Sequence, residues 1–323
     1  MVRPASLALA AVIAAAAGGA AGQGYPNRPV SFIVPYAAGG TTDAMARLLG
    51  QKLEQRLGKP FVVENKTGAA TVIGAMFVAK SPPDGHTLLY ATSTTMAINV
   101  TARKNLPYDP TRDLAPIALV AGVPFILVVN PALPVHSVGD LVALARRQPL
   151  SYASNGHGGA PHLFMELLKT TTGIAAMTHV PYKGLAPALN DTVAGHVHVM
   201  FGDVSTTLPL VQAGKLRALG VSTAQRVAAA PNIPPLGEAG LPGFEASSWQ
   251  MIVAPGGTAK DIIARLNAEL RTIVGDAEVN RFLADSGIVP IVSASPDELA
   301  AYVKTEIVRW GKIVEQAGAA GAE

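Results

Sequence analysis

The residues best placed to do chemistry lie in two glycine-rich turns. In "VPYAAGGTTDAMARLL" (34–49) a hydrophobic run ends at Gly39-Gly40, and Thr41-Thr42 open a helical pattern. A Walker-type phosphate loop needs Gly-Lys-Ser/Thr, and no lysine follows. A dinucleotide fingerprint needs three spaced glycines and a later acid, and that spacing is also missing. Backbone chemistry remains. Glycines let amide N–H groups approach a ligand, and a helix N-terminus adds unpaired donors with a partial positive charge, which together favour a carboxylate. A plain βα turn capped by Thr42 accounts for the same residues, and the pattern leaves both readings open. "SNGHGGAPHL" (154–163) repeats the device, with Pro161 near the start of the next helix. Two such loops would clamp a small anion from both sides.

Other polar residues are less specific. His157 and His162 are five apart, a poor metal spacing on a helix, so hydrogen bonding or capping is expected of them. His196 and His198 share a strand face but have no third ligand marked, which favours a surface or packing role. Asp203 ends a strand where α/β ligands sit; it suits a ligand hydroxyl or ammonium, and equally a helix cap. Tyr182 and Lys183 fall in a further βα loop, and Thr92 and Ser93 end the strand 87–93 on the same edge. No G-x-S-x-G, S-x-x-K or H-E-x-x-H motif occurs, so no catalytic residue, metal site or cofactor is expected.

The elements that must position these residues alternate. Strands are predicted at 30–36, 60–66 and 87–93, with helices at 43–57 and 71–81 between them; Met45, Leu48, Leu49, Leu53 and Leu57 share one face of the first. This order predicts a parallel sheet with right-handed crossovers. The β-rich run 117–131 is long enough to cross between two lobes. A helix with Ser137 as N-cap follows, and the strand–helix rhythm restarts through "LRALGVS" (216–222). A Pro/Gly-rich stretch leads to the strand 247–255, which could cross back. Two helices finish the chain, one from Thr258 and one with Ser295 as N-cap and Glu298 completing a capping box. The fold class is α/β, in two lobes with two crossings, and the cleft between them is the natural ligand site.

The bulk numbers agree with an exported, soluble protein. The chain has 323 residues, enough for two domains. A net charge of +3 without any Lys/Arg block makes nucleic acid an unexpected partner. Arg3, the apolar run from Leu7 to Ala17 and the small residues up to Gly22 read as a cleavable signal peptide over 1–22, since a membrane span needs ~20 apolar residues. With no cysteine, disulfides and thiolate chemistry are excluded.

Several stretches together resemble the Bug family, the periplasmic solute receptors of tripartite tricarboxylate transporters. They are "YPNRPVSFIVPYAAGGTTDAMARLL", "PPDGHTLL", "LPYDPTRDLAPIALV", "YASNGHGGAPHL", "HVPYKGLAPALND", "AGKLRALGVSTAQR" and "EIVRWGKIVEQAG", collinear from Tyr25 to about Gln316. The resemblance implies a type II periplasmic binding protein fold that closes on its ligand, with lobe 1 at 23–123 plus 248–323 and lobe 2 at 124–247. It implies a carboxylated ligand: a di- or tricarboxylate, an acidic amino acid or an aromatic acid. It maps the first ligand loop onto Tyr36, Ala38, Gly39, Gly40 and Thr41. The second maps onto Ser154, Asn155, Gly156, His157 and Gly158, with Asp203 beyond. Where the family often has "GAGGNIGA", this chain has "GAATVIGA" at 68–75, which alters the start of the second helix.

The expected function is therefore a periplasmic receptor, monomeric, that captures a carboxylate and passes it to membrane permease components. A receptor feeding a signalling system is the alternative. An enzyme of the same fold, such as a porphobilinogen-deaminase-like catalyst, needs a cysteine-linked cofactor.

Overall fold

The computed structural model describes residues 24–321, so the signal-peptide reading lies outside the described residues. The first lobe opens with β1 (Val30–Val34), α1 (Thr41–Leu57), β2 (Phe61–Asn65), α2 (Val72–Ala79) and β3 (Thr87–Thr92). β1 lies between β2 and β3 and is parallel to both. Met45, Leu49 and Leu53 of α1 are buried, as their spacing predicts. A π-helical turn at Thr94–Ile98 runs into α3 (Asn99–Ala102).

The long β-rich run becomes two strands, β4 (Leu114–Val123) and β5 (Phe125–Val129). Pro124, which has no N–H for a ladder, stands between them. β4 belongs to a six-stranded sheet and β5 to a five-stranded one, so the chain changes sheets here. The second sheet is completed by β6 (Leu150–Ser154), β7 (Met177–Pro181), β8 (Val199–Asp203) and β9 (Arg217–Val221), in the order β7-β6-β8-β5-β9. Its helices are α4 (Val138–Ala145), α5 (Ala160–Thr172), α6 (Leu185–Ala194) and α7 (Val204–Gln212).

The return differs from expectation. β10 (Ser248–Pro255) lies wholly in the first sheet, antiparallel between β3 and β4. The crossing itself is made just before it, where Ala246 N–H donates to Ser222 O in the second lobe. This crossing runs beside the first, because Ser248 pairs with Val123.

Three helices end the chain, where two were expected: α8 (Lys260–Gly275), α9 (Ala277–Asp285) and α10 (Pro296–Gln316), with β11 (Val289–Pro290) before the last. Thr258 is part of the turn before α8, its hydroxyl donating to Pro255 O. α9 escapes a periodicity reading because only Val279 and Leu283 of its nine residues are buried. The Ser295–Glu298 capping box forms as predicted.

The altered "GAATVIGA" stretch carries strain. Ala69, Ala70 and Thr71 all have positive φ, at 45°, 44° and 79°. Left-handed backbone costs a non-glycine residue about 1–2 kcal/mol. Asn99 Nδ2 holds the segment by donating to Ala70 O, and Thr95 donates to Thr71 Oγ1.

α10 ties the lobes together. Trp310, fully buried, stacks on Phe164 of α5, while Leu299, Val303 and Val314 fill the same core. Glu306 is buried on this face, and its Oε2 accepts from the indole N–H of both Trp249 and Trp310, at 2.6 and 3.0 Å. Glu306→Ala strips two buried donors of their acceptor and is expected to lower the unfolding free energy by about 3 kcal/mol. Urea unfolding measures this. A change under ~0.5 kcal/mol would mean that the indoles find other partners.

Candidate functional site

Three helix N-termini converge where the lobes meet. α1 starts on Gly40, α5 on Gly159 and α6 on Gly184, and none of the three receives a side-chain cap. Of the other helices, α4, α9 and α10 are capped by Ser137, Asp276 and Ser295, whereas α2 and α3, begun by Thr71 and Ile98, have no side-chain cap. α8, begun by Ala259 away from the cleft, is uncapped too. An uncapped first turn leaves amide donors without intrahelical partners. Gly40 and Thr41 of α1, Ala160 and Pro161 of α5 and Leu185 of α6 all line one cavity.

Each lobe supplies part of the wall. From the first come Tyr36, Thr42, Thr92, Thr94, Ser248 and Gln250. Asn155, Phe125 and Asp203 come from the second, and no lining residue is Lys or Arg. The Tyr36 hydroxyl hydrogen-bonds Thr92 Oγ1 at 3.1 Å. Burial raises the Tyr36 pKa, opposed by hydrogen bonds from Thr92, Thr94 and Asn155, so the phenol stays neutral. Tyr90 donates to Gln250 Oε1, which turns the Gln250 amide NH₂ toward Thr42 Oγ1, 3.4 Å away. Asn155 Oδ1 is buried with no partner within the protein.

Asp203 caps α7. Its Oδ1 accepts from Thr206 N–H, Thr206 Oγ1 and Ser205 Oγ, and the residue also lines the cavity. The cap and the wall position coexist.

The lobes are in contact over the cavity. Thr41 Oγ1 meets Ser205 Oγ, and Ala37 N–H donates to Lys183 O at 3.1 Å. A Cβ on Gly184, at φ 152°, would sit 3.3 Å from Ala37, so this approach suits glycine.

Of the residues singled out from sequence, the structure brings Tyr36, Gly40, Thr41, Thr92, Asn155 and Asp203 together on the cavity wall. Gly39, with φ 88°, lines a separate opening beside Arg47 and Phe282, and its N–H donates to Asp43 Oδ2. Ala38 is not among the lining residues. Ser93 is buried, paired with Ser248 Oγ at 2.7 Å. Gly156, His157 and Tyr182 border an adjoining hollow that shares Tyr36 and Asn155 with the cavity. Ser154 shapes the glycine loop from within, accepting from Gly156 N–H and donating to Gly156 O. Gly158 N–H donates to His162 Nδ1. His198 Nδ1 accepts from Ser151 N–H, a packing role as expected, and His196 is exposed beside Asp191.

Sequence reasoning missed Thr94, Val123, Phe125, Ser248 and Gln250. Thr94 lies on the π-helical turn and the others on the strands that flank the crossings. Their one signal was the pair of strand runs assigned to cross between lobes. It also missed that β7 carries His179 to His157 and His162. Burial lowers the pKa of His162 to about 4 and of His179 to about 3.

Comparison with known proteins gives a consistent picture. A family model described as the tripartite tricarboxylate transporter family receptor matches residues 45–319. Protein BugT of Bordetella pertussis is 38% identical over 298 residues, 91% of each chain. Among solved structures, R. palustris Rpa4515 with adipate superposes with a TM-score of 0.87 at 39% identity, covering 91% of this chain and 98% of that one. MatC from Rhodopseudomonas palustris with bound malate gives 0.84 at 33% identity, covering 90% and 100%.

Asp43, outside the cavity, holds the first loop. Its carboxylate accepts from Gly39 N–H, Arg47 and Asn65 Nδ2, and Asn65 also donates to Tyr36 O. Burial alone would raise the Asp43 pKa, but the bonds from Arg47, Asn65 and Gly39 outweigh it and the pKa is lowered. A depressed carboxyl pKa adds stability above its unfolded value near 4, lost as pH falls through the folded value. Asp43→Asn is therefore expected to flatten the acid limb of a stability–pH profile below about pH 4 and to loosen the loop. An unchanged acid limb would show that the loop does not depend on this charge.

Proposed function

The chain belongs to the tripartite tricarboxylate transporter receptor family, and on that premise we propose that it captures a small organic carboxylate outside the cytoplasm and hands it to membrane permease components. The family is one of receptors, so the work done is binding and closure and not bond chemistry. The observation that carries this reading is the convergence of three uncapped, glycine-started helix N-termini on a cavity without a cationic side chain. A carboxylate buried there must recover its lost hydration from hydrogen bonds. Helix N-termini supply donors and about 0.3–1 kcal/mol each of favourable dipole interaction, and bridging water can complete the shell.

The ligand class is a di- or tricarboxylate, an acidic amino acid or an aromatic acid. Asp203, a carboxylate in the same wall, repels a second anion at close range and accepts from a donor. It therefore favours acids that also carry a hydroxyl or ammonium group. The ligand-contact set on this reading is Tyr36, Gly40, Thr41, Thr42, Thr92, Asn155, Asp203 and Gln250. Residues 1–22 act as a cleavable export signal to the periplasm. The receptor works as a monomer, with lobes 23–123 plus 248–323 and 124–247. They hinge at the paired crossings near Pro124 and Ala246.

A thermal-shift screen against a carboxylate panel tests the ligand class. A ligand at a hundred times its Kd stabilises by ~2.7 kcal/mol, which reads as a rise of several degrees. Shifts with sugars or cations but with no acid would sink the proposal.

Gly40→Asp tests the site. Gly40 has N-cap geometry, φ −90° and ψ 170°, and open space around its would-be Cβ. The new carboxylate caps α1 from within. Stability without ligand is expected to rise by ~0.5 kcal/mol, while affinity for the identified acid falls at least about ten-fold. Unchanged affinity would remove α1 from the binding site.

A further inference from the structure

Three imidazoles meet on the glycine loop of the second lobe. His157 lies in the loop before α5, His162 in the first turn of α5 and His179 in the middle of β7. Each offers one ring nitrogen, and the three nitrogens lie within 4.8 Å of one another. The His162 and His179 rings stack with centroids 4.1 Å apart, and His157 meets His179 edge-on at 4.6 Å. Tyr152 stacks beneath His179. Aromatic packing alone would explain the stacking.

The hydrogen bonds point further. His179 Nε2 lies 2.6 Å from Ser154 Oγ, whose proton goes to Gly156 O. With the hydroxyl proton on Gly156 O, Ser154 Oγ accepts from His179 Nε2, and Nδ1 then carries a lone pair. That Nδ1 is buried and has no hydrogen-bond partner. His162 is in the same tautomer, because its Nδ1 accepts from Gly158 N–H at 3.0 Å. His157 is exposed. A buried acceptor left unpaired costs about 1–3 kcal/mol. An outer partner that fixes an imidazole's tautomer is also how metal-binding histidines are oriented.

We propose that His157, His162 and His179 form a binding site for a divalent transition-metal ion that prefers imidazole, zinc being the reference ion. Metal–nitrogen bonds of 2.0–2.1 Å in a tetrahedral site set the nitrogens ~3.3 Å apart, so binding draws the rings together. His157 swings inward from the surface, and His162 exchanges the Gly158 N–H for the ion. Three protein ligands leave a fourth position for water or an anion, on the side of the hollow that His157 lines. The ion would fasten the glycine loop and the start of α5 to β7. Sequence spacing hides this site because its third ligand comes from a different strand.

The test uses tag-free, chelator-treated full-length mature chain, titrated with cobalt(II) as an optical probe of tetrahedral coordination and with zinc by calorimetry and thermal shift. The expected result is one ion per chain, a tetrahedral cobalt spectrum and a higher Tm with zinc. Ser154→Ala should weaken binding about ten- to hundred-fold. His157→Ala, at an exposed position that leaves the core intact, should abolish the tetrahedral spectrum. His196→Ala, on the exposed end of another loop, should bind like the parent. Absence of stoichiometric cobalt or zinc binding would overturn the proposal, as would parent-like binding by His157→Ala. The carboxylate screen is read separately on metal-free protein, so the two proposals stand or fall independently.

Discussion

The structure depends on one electrostatic constraint: an anion taken out of water must be met by something positive. No lysine or arginine lines the cavity. On the proposed reading backbone amides take that role, which requires helices to begin at the cavity with no side chain occupying their first turn. Gly40, Gly159 and Gly184 satisfy this, because glycine caps weakly and offers no competing acceptor. Of the helices that start elsewhere, three are capped by Ser137, Asp276 and Ser295, while α2, α3 and α8 have no side-chain cap. Asp203 departs from the pattern. It caps α7 and faces the cavity as well, so one negative group stands among the donors.

Converging amides need rigid carriers that can still come together. The parallel strands of each lobe place their βα loops at one edge, and the crossings near Pro124 and Ala246 run side by side. Two neighbouring crossings allow rotation about one axis and resist shear. Contacts at the rim include the polar pairs Thr41 with Ser205 and Ala37 with Lys183. Such contacts are modest in energy, as the proposed reversible closure requires. α10 acts differently. Trp310 packs on Phe164 in the second lobe, while Glu306 binds Trp249 next to Gln250 of the cavity wall. The crossings and the cavity wall therefore adjoin one buried network.

Much of the fold was legible because periodicity and capping are local. The β-α-β-α-β order, the buried face of α1 and the Ser295–Glu298 capping box need only neighbours along the chain. The third C-terminal helix was not legible, since a nine-residue amphipathic segment with two buried positions has too weak a pattern. The split of 117–131 at Pro124 was written in the sequence as a single proline within a β-rich run. The run reads as one long strand crossing between lobes, and the break into two strands in different sheets came only with the tertiary structure. Residues 69–71 took left-handed backbone in spite of their types, because Asn99 and Thr95, far along the chain, hold them there.

The sequence by itself determined the two glycine turns, the absence of lysine from the first of them and the resemblance that named a receptor family. Those are matters of residue type and spacing. Tertiary structure decided which way each amide faces. Gly39 and Gly40 are adjacent in sequence, yet the N–H of Gly39 is taken by Asp43 while Gly40 borders the cavity. It also decided that Ser248 and Gln250 join Tyr36 on one wall and that His179 joins His157 and His162. Direction and long-range proximity follow from how strands and crossings pack, and no local pattern encodes them.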